Sequence, residues 1–525
     1  MLSFIKSRWV LLSVIALFIV FKIHHLYYPY FWDESWPYAS AVAYMYEHGI
    51  SLIPGSVDPE LSRGHPLFFH AAAALWGKLF GMSHLSMHSF ALGISILFLV
   101  TIYEAALNLF NKRVAVMSLL LVCTQVLFIV QSGFLLLEML VALLALLSLY
   151  HYIKGNYLQT GVYLSMLFYT KESGLIMGFV LGIDALVGLR RLTDTTWKKH
   201  VPRLLAIGIP CILMGIFFLL QKQINGWYIL PLYTQLVEHK WDNFWHVFSK
   251  NAMESMYVSD YRFWYFFIAA GLTVYASIVK KMYGAITIVV PILLIYLLTG
   301  DQGPHNYADS LIHFIGLLIS FAVFTWFISR PALFPSLLQR RFLILTMSFT
   351  VCFIIFSSMN FFTYRYLLAT IIPGLMVVAI ITDKMAEKTQ PVMFYISLAA
   401  MLGVSAYAYI HDDGNGDTDR SAFMNMELQQ SAVDYLEERK LYNEPIGTGS
   451  FLQRVHLTDK ATGFLRGTTA FKKVDWNIDY ATYIIVDNIE PDYRYDQIKN
   501  RPGYKLAFRK AKGLGWIEIY ERIEK

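Results

Sequence analysis

Apolar residues occur in long runs between residues 9 and 410, and polar residues gather in the gaps between these runs. Most runs reach the roughly 17 to 25 residues that a helix needs to cross the hydrocarbon core of a bilayer. They do not alternate apolar and polar positions, as the strands of a membrane barrel do. The pattern therefore predicts about thirteen transmembrane helices. The predicted spans lie near 9–29, 86–110, 114–131, 135–152, 157–170, 174–189, 204–222, 262–279, 283–299, 309–329, 342–358, 366–382 and 391–410.

Two shorter apolar segments and a polar tail complete the predicted architecture. The segments near 36–48 and 65–80 are expected to be helices that lie along the membrane surface, within an outer loop of about residues 31–85. Residues 1–410 then form a transmembrane domain. The polar residues 411–525 form a small soluble domain.

The pattern within the polar tail predicts a mixed α/β fold. Met426–Lys440 has the spacing of an amphipathic helix. Tyr483–Asp487 is typical of a strand, and Leu506–Ala511 and Trp516–Arg522 are typical of a hairpin joined by Lys512–Gly515. The predicted fold class is an all-α polytopic membrane protein with a small C-terminal α/β domain.

Composition and the placement of charge support this interpretation. The chain is 56% hydrophobic and 15% charged, whereas soluble domains carry about 25% charged residues, so a soluble globular protein is excluded. With the N-terminus inside, nearly every short cytoplasmic loop holds a lysine or arginine, as the positive-inside rule expects. The tail then lies outside. The basic residues of the inner loops are Lys112, Arg113, Lys154, Arg190, Arg191, Lys198, Lys199, Arg203, Lys280, Lys281, Arg330, Arg340, Arg341 and Lys384.

Ionisable residues that border apolar segments are costly in a membrane protein and usually serve a function. The first such place on the outer side is Trp32-Asp33-Glu34-Ser35-Trp36, directly after the first span. A carboxylate held among aromatic rings can serve as a general base, and Asp33 and Glu34 are candidate catalytic residues. The alternative is an aromatic interfacial belt with a solvated acidic turn.

The second place is Arg63-Gly64-His65-Pro66-Leu67, which opens the second interfacial segment. Pro66 suits the first turn of a helix. Arg63 and His65 are candidates to bind a phosphate there, helped by the helix N-terminus. The alternative is a capping segment with ordinary surface charge.

The third and fourth places lie between the middle spans. Glu138 is a lone acidic residue among leucines and follows Gln131-Ser132-Gly133. It is expected to face a functional cavity or, alternatively, to hydrogen-bond to a neighbouring helix. Lys171, within Thr170-Lys171-Glu172, is a candidate to contact an anionic substrate, or else to pair with Glu172.

Two further outer segments carry charge. Arg365, which Tyr366 follows, breaks the charge pattern of the outer loops, and this favours an anionic partner over a topological role. Asp301–Tyr307 is a second polar cluster. Asp413–Asp419 resembles the start of an EF-hand loop but lacks the glycine and the final glutamate of that loop, so we expect a solvated linker. The sequence contains no nucleotide-binding or metalloprotease motif.

These residues and their order resemble the GT-C glycosyltransferases, in particular the bacterial lipid A aminoarabinose transferases and the protein O-mannosyltransferases. Asp33-Glu34 is similar to the Asp-Glu pair of the family. Thr170-Lys171 and Arg365-Tyr366 look like its Thr-Lys and Arg-Tyr elements. Glu138 stands where the family usually has Asp, and His65-Pro66 stands where it has Lys-Pro.

The resemblance implies an inverting glycosyltransferase of the bacterial cytoplasmic membrane, which moves a sugar from a polyprenyl-phosphate donor to a lipid, glycan or protein acceptor on the outer face. It implies Asp33 as the base, with Glu34 or Glu138 orienting the acceptor or Asp33. We expect a monomer surrounded by membrane lipids, with no nucleic-acid partner and no assigned cofactor; the use of a divalent metal is left open. The residues expected to bind the donor phosphate are Arg63, His65, Lys171, Arg365 and Tyr366.

A polytopic lipid or solute transporter, or a flippase, is the alternative from another functional class. Transporters usually carry internal repeats and helices that are broken near the midplane. The sequence shows no repeat, and its charged candidates gather toward one surface. A polysaccharide ligase or polymerase that uses a glycan-lipid donor is a nearer alternative.

Overall fold

A computed structural model describes most of the chain. The described residues are 2–189, 197–232, 244, 247–248, 261–280, 328, 333–360, 363–411, 414, 416–467, 469–490 and 494–523. The predicted span near 283–299, nearly all of that near 309–329, and the cluster Asp301–Tyr307 lie outside them.

The described part of the chain is mostly helical. Six of its helices are long and apolar enough to cross a membrane, by length and composition. The other predicted spans within the described residues also coincide with helices, apart from the one near 114–131, which is interrupted. The total of thirteen spans stays a prediction. The helices before the tail are α1 (Leu2–Lys22), α2 (Tyr38–His48), α3 (Pro59–Ser62), α4 (Phe68–Phe80), α5 (His84–Leu109), α6 (Lys112–Cys123), α7 (Val126–Gln131), α8 (Glu138–Lys154), α9 (Tyr157–Phe168), α10 (Leu175–Leu189), α11 (Trp197–Asn225), α12 (Phe263–Val279), α13 (Leu337–Ser358), α14 (Leu368–Lys388) and α15 (Val392–Ile410).

The interrupted span leaves irregular backbone inside the protein. Helix α6 ends at Cys123, the short α7 follows, and residues 132–137 form no helix before α8 begins at Glu138. All of residues 131–140 are buried. Non-helical backbone of this kind is tolerated at membrane depth only where protein groups satisfy its donors and acceptors.

Side chains from distant helices supply those partners. Lys22, fully buried at the end of α1, donates from Nζ to the carbonyl oxygen of Ile129 at 2.8 Å. Ser95 Oγ on α5 donates to the carbonyl oxygen of Ser132 at 3.0 Å. The Ser95 bond fastens the irregular segment to α5, and the Lys22 bond fastens the end of α7, directly before that segment, to α1.

The outer segment after α1 contains the two predicted surface helices. Helices α2 and α4 pack against each other. The short α3 lies between them, with Pro59 in its first turn and the Asp58 side chain accepting from the Glu60 N–H at 2.8 Å. The expectation that Pro66 occupies the first turn of the second helix is wrong, because α4 begins at Phe68. His65 lies in the non-helical residues before it.

The tail forms a five-stranded sheet with helices. Its order is β2-β1-β3-β5-β4, in which β1 pairs in parallel with β2 and β3 while β5 pairs antiparallel with β3 and β4. The predicted strand and hairpin are confirmed, whereas β1, β2 and their connecting helix were not predicted. The elements are α16 (Ser421–Glu438), β1 (Pro445–Thr448), α17 (Phe451–Thr458), β2 (Lys473–Asp475), β3 (Tyr483–Asp487), α18 (Tyr495–Lys499), β4 (Tyr504–Lys512) and β5 (Gly515–Arg522).

The tail contacts the outer segment that follows α1. The N–H of Tyr30 donates to the carbonyl oxygen of Thr462 at 2.9 Å. Tyr28 Oη donates to Glu427 on α16 at 3.2 Å. Because Tyr30 and Tyr28 precede Asp33 by only three and five residues, the tail lies close to the first candidate site.

A close helix approach shapes the turn that carries Lys171. The missing side chain of Gly174, between α9 and α10, leaves room for Leu167, since a Cβ there would lie 2.6 Å from Leu167 Cγ. The turn is closed by hydrogen bonds from the Lys171 N–H to the Leu167 carbonyl at 3.1 Å and from the Gly174 N–H to the Lys171 carbonyl at 2.9 Å.

We expect Gly174→Ala to lower the free energy of unfolding by about 1 to 3 kcal/mol, because the added methyl group overpacks a buried contact. Denaturant unfolding in detergent measures the change. Gly182→Ala on α10 is the matched control, since its nearest neighbouring atom would lie 3.9 Å away and alanine favours the helix. Equal stability of the two variants would contradict this account of the turn.

Candidate active site

Arg365 lies at the centre of a buried cluster of charged residues. It is in the short 3₁₀ turn before α14, and its guanidinium forms ion pairs with Asp33 and with Asp417. Glu138 lies on a third side, with Oε1 3.6 Å from Arg365 Nε. Four stretches of chain, separated by up to 384 positions (Asp33 to Asp417), therefore meet at one guanidinium.

Glu138 connects Arg365 to a second cation. It is the first residue of α8, where the partial positive charge of the helix N-terminus favours a carboxylate. Lys171 Nζ donates to Glu138 Oε1 at 3.1 Å and lies 3.6 Å from the ring centroid of Tyr366. Lys171 thus pairs with Glu138, and not with Glu172 as the sequence alternative proposed.

The two predicted carboxylates of this cluster, Asp33 and Glu138, differ in their solvent exposure. The side chain of Asp33 is 34% exposed, whereas that of Glu138 is 3% exposed. Glu138 Oε2 and Arg365 Nε are buried without a hydrogen-bond partner among the described residues. An incoming molecule can reach Asp33 from solvent, while Glu138 is placed to orient the two cations.

Asp417 is a member of the cluster that sequence reasoning missed. The segment that contains it was expected to be a solvated linker, but Asp417 is buried against Arg365. Its carbonyl oxygen accepts from Gln131 Nε2 at 2.7 Å. Burial raises the pKa of the Asp417 carboxyl; Arg365 opposes this shift and Asp33 adds to it. The acidic character of the segment was visible in the sequence, but its docking was not.

An apolar cavity of about 710 Å³ begins beside Lys171. At its polar end, His65 Nδ1 and Glu172 Oε2 are 2.8 Å apart. Most of the wall comes from α10, α11 and α13, and includes Phe179 and Phe356, which are 59% and 39% exposed at the helix surface. The cavity is lined by His65, Lys171, Glu172, Ser173, Leu175, Ile176, Phe179, Phe218, Ile229, Cys352, Phe353, Ile355, Phe356, Ser357, Met359, Asn360 and Tyr366.

Glu34 points away from this cluster and into the protein. Its Oε1 accepts from the Leu135 N–H at 2.6 Å and lies 2.8 Å from His88 Nε2, and its Oε2 accepts from the Phe31 N–H at 3.2 Å. His88 Nδ1 lies 3.1 Å from the carbonyl oxygen of Leu26. Because the Leu26 carbonyl can only accept, Nδ1 donates to it, and the contact between Nε2 and Glu34 then needs a second proton, which the two groups share. Glu34 fixes the position of the irregular segment before Glu138.

Arg63 is also placed apart from the cations of the cluster. Its guanidinium carbon lies 4.6 Å from the ring centroid of Trp36. The structure thus brings together Asp33, Glu138, Lys171, Arg365 and Tyr366 and places His65 at the cavity end, but it does not bring Glu34 or Arg63 to them. Among the described residues, no three His, Cys, Asp or Glu side chains are placed to share a metal ion.

We expect Glu34→Ala and His88→Ala each to cost about 3 kcal/mol of unfolding free energy, since each leaves a buried partner unsatisfied. The double variant should cost little more than either single one, with a coupling energy of about 1.5 kcal/mol or more. Denaturant unfolding of the three variants measures it.

The matched control is the His65 and Glu172 pair, which has the same 2.8 Å separation but a 28% exposed carboxylate. Its coupling energy should be smaller than that of Glu34 and His88, because the Glu172 carboxylate keeps partial access to solvent. Additive effects at Glu34 and His88 would contradict the positioning role.

Several solved structures resemble this chain. A protein O-mannosyltransferase complex of S. cerevisiae bound to the sugar donor matches with a TM-score of 0.34 and 18% identity over 42% of this chain, which spans about a third (34%) of that chain. ArnT of Cupriavidus metallidurans bound to undecaprenyl phosphate matches with a TM-score of 0.43 and 14% identity, covering 81% of this chain and 72% of that chain.

The archaeal oligosaccharyltransferase AglB of Archaeoglobus fulgidus, in complex with an inhibitory peptide and a dolichol phosphate, matches with a TM-score of 0.42 and 12% identity, covering 83% of this chain and 58% of that chain. No family model and no curated protein matches the chain. All three structures are of GT-C glycosyltransferases, the superfamily that the sequence motifs resemble.

Proposed function

We propose that the protein is an inverting glycosyltransferase that moves a sugar from a polyprenyl-phosphate donor to an acceptor hydroxyl at the outer face of a membrane. One observation carries the proposal: a partly exposed carboxylate, Asp33, pairs with the buried Arg365, and Glu138 joins Arg365 to Lys171, which lines one end of a large apolar cavity. The donor class is the one that the sequence resemblance implies.

The cavity and its polar end suit the two parts of such a donor. The apolar wall between α10, α11 and α13 can hold a prenyl chain, which gains free energy by leaving water and contacting carbon side chains. The phosphate then lies near Lys171, Tyr366 and His65 at the polar end. No nucleotide site is needed, because the sugar arrives linked to lipid.

Asp33 is the proposed base. The acceptor hydroxyl loses its proton to Asp33 as its oxygen forms a bond to the anomeric carbon, and the bond from that carbon to the phosphate oxygen breaks. The leaving polyprenyl phosphate gains one negative charge. Lys171 and Arg365 stabilise that growing charge most in the transition state, in a site from which water is largely excluded.

The net charge of the cluster determines what must happen at Asp417 when the donor binds. Among the described residues, three carboxylates (Asp33, Glu138 and Asp417) face two cations, Arg365 and Lys171. A phosphate that approaches Arg365 therefore meets net negative charge until a carboxylate leaves or is protonated. Burial raises the pKa of Asp417, and this residue lies on a segment outside the helices, so we propose that it gives way to the donor.

We expect Asp33→Asn to lower the rate of sugar transfer by about 10²- to 10⁴-fold, the typical contribution of a general base, with no loss of undecaprenyl phosphate binding. Transfer of radiolabel from a polyprenyl-phosphate sugar to acceptor material measures the rate. Glu60→Gln, an exposed carboxylate of the same outer segment, is the matched control. Near-normal transfer by Asp33→Asn removes Asp33 as the base, and label that crosses the bilayer still attached to its lipid favours a flippase.

We expect Asp417→Asn to bind undecaprenyl phosphate about tenfold more tightly, because it removes one negative charge beside Arg365. Asp419→Asn is the control, since Asp419 bonds Ser421 and not Arg365. Titration of the purified variants with undecaprenyl phosphate measures the affinity. Unchanged or weaker binding by Asp417→Asn would mean that Asp417 does not compete with the donor.

A further inference from the structure

A row of three aromatic rings connects the outer segment to the tail. Trp36 and Phe451 have ring centroids 4.8 Å apart, and Phe451 and Trp476 have centroids 6.2 Å apart with ring planes at 25°. Trp36 comes from the turn that carries Asp33, whereas Phe451 begins α17 and Trp476 follows β2. The row therefore starts three residues from Asp33, at most about 11 Å away along the chain.

Two arginines lie over this row. The guanidinium carbon of Arg63 is 4.6 Å from the Trp36 centroid, and that of Arg454 is 5.4 Å from Phe451 and 5.0 Å from Trp476. Neither arginine forms an ion pair among the described residues. A guanidinium that lies over an aromatic face keeps its N–H fork available for a carboxylate or phosphate.

Nearby carboxylates are already engaged elsewhere. Glu490 Oε2 accepts from Ser450 Oγ at 2.7 Å and from the Leu452 N–H at 3.1 Å, at the start of α17. Asp475 Oδ1 accepts from the Asn477 N–H at 3.3 Å. The positive charge over the rings therefore has no internal counterion in the described contacts.

The backbone at Arg63 and Gly64 adopts a conformation that is uncommon for an L-residue. Arg63 has φ of +53° and Gly64 has φ of +68°. An L-residue in this left-handed region costs conformational energy, so surrounding contacts must hold it there. The turn separates Arg63, over the ring row, from His65, at the cavity end two residues later.

We propose that Trp36, Phe451, Trp476, Arg63 and Arg454 form the acceptor-binding surface, and that it recognises an acidic carbohydrate, a sugar that bears a carboxylate or phosphate. This inference rests on the proposed function, because it assigns an acceptor to the site of Asp33. The flat carbon face of a pyranose ring packs on an aromatic ring, and Trp476 is 41% exposed. The arginines bind the acidic group through charge-assisted hydrogen bonds.

The test uses the purified full-length protein in detergent and calorimetric titration with trigalacturonate, maltotriose and hexaglutamate. We expect trigalacturonate to bind at least about tenfold more tightly than maltotriose, because charge-assisted hydrogen bonds add to the packing of the sugar. The Arg63→Gln, Arg454→Gln double variant should lose that preference. Trp476→Ala should weaken the binding of both sugars.

Arg439→Gln is the matched control. Arg439 is exposed and lies 3.7 Å from the ring centroid of Tyr435, which contacts Phe508 on β4. Strands β2 and β4 are opposite edges of the sheet, about 19 Å apart at the usual strand spacing. This variant should keep the wild-type preference for trigalacturonate.

Three results would overturn the inference: no sugar binding, equal affinity for the two sugars, or a preference that survives the double variant. Binding of hexaglutamate that is tighter than that of trigalacturonate and independent of Trp476 would also overturn it, in favour of an acidic peptide. Undecaprenyl phosphate binding, measured on the same samples, reports on the donor site separately. Its persistence without sugar binding would reject the acceptor surface alone.

Discussion

The arrangement of the charged residues depends on a short stretch of irregular backbone, residues 132–137, that lies buried between two helices. Its donors and acceptors cannot reach water, so other parts of the chain must satisfy them. Ser95 and Glu34 do so from α5 and the outer segment, while Lys22 on α1 bonds the Ile129 carbonyl of α7, directly before the stretch. Each bond that satisfies the backbone also fixes where an element of the site lies.

Two adjacent residues, Asp33 and Glu34, therefore face in opposite directions. Glu34 turns inward to the Leu135 N–H, while its neighbour Asp33 turns outward to Arg365. Glu138 follows the irregular stretch directly, and its Oε1 lies 3.6 Å from Arg365 Nε. The bond between Glu34 and Leu135 therefore holds together the two segments that provide the partly exposed carboxylate, Asp33, and the buried one, Glu138.

The tail is also held to the site by contacts between distant parts of the chain. Gln131, at the end of α7, donates to the Asp417 carbonyl oxygen, and the Asp417 carboxylate pairs with Arg365. The tail also contributes Phe451 to the ring row that begins at Trp36. The tail is thus part of the site in two places, one facing the proposed donor and one facing the proposed acceptor.

The sequence by itself determined the helical membrane architecture, the strand Tyr483–Asp487 and its hairpin, because hydrophobic run length and periodicity are local properties. It also singled out Asp33, Glu138, Lys171 and Arg365, because a charge bordering apolar segments is costly enough to be conspicuous. Only the tertiary structure decided that Glu34 faces inward, that Arg63 lies over Trp36, and that Asp417 docks on Arg365. Those outcomes depend on contacts between residues far apart in the chain, which no local pattern records.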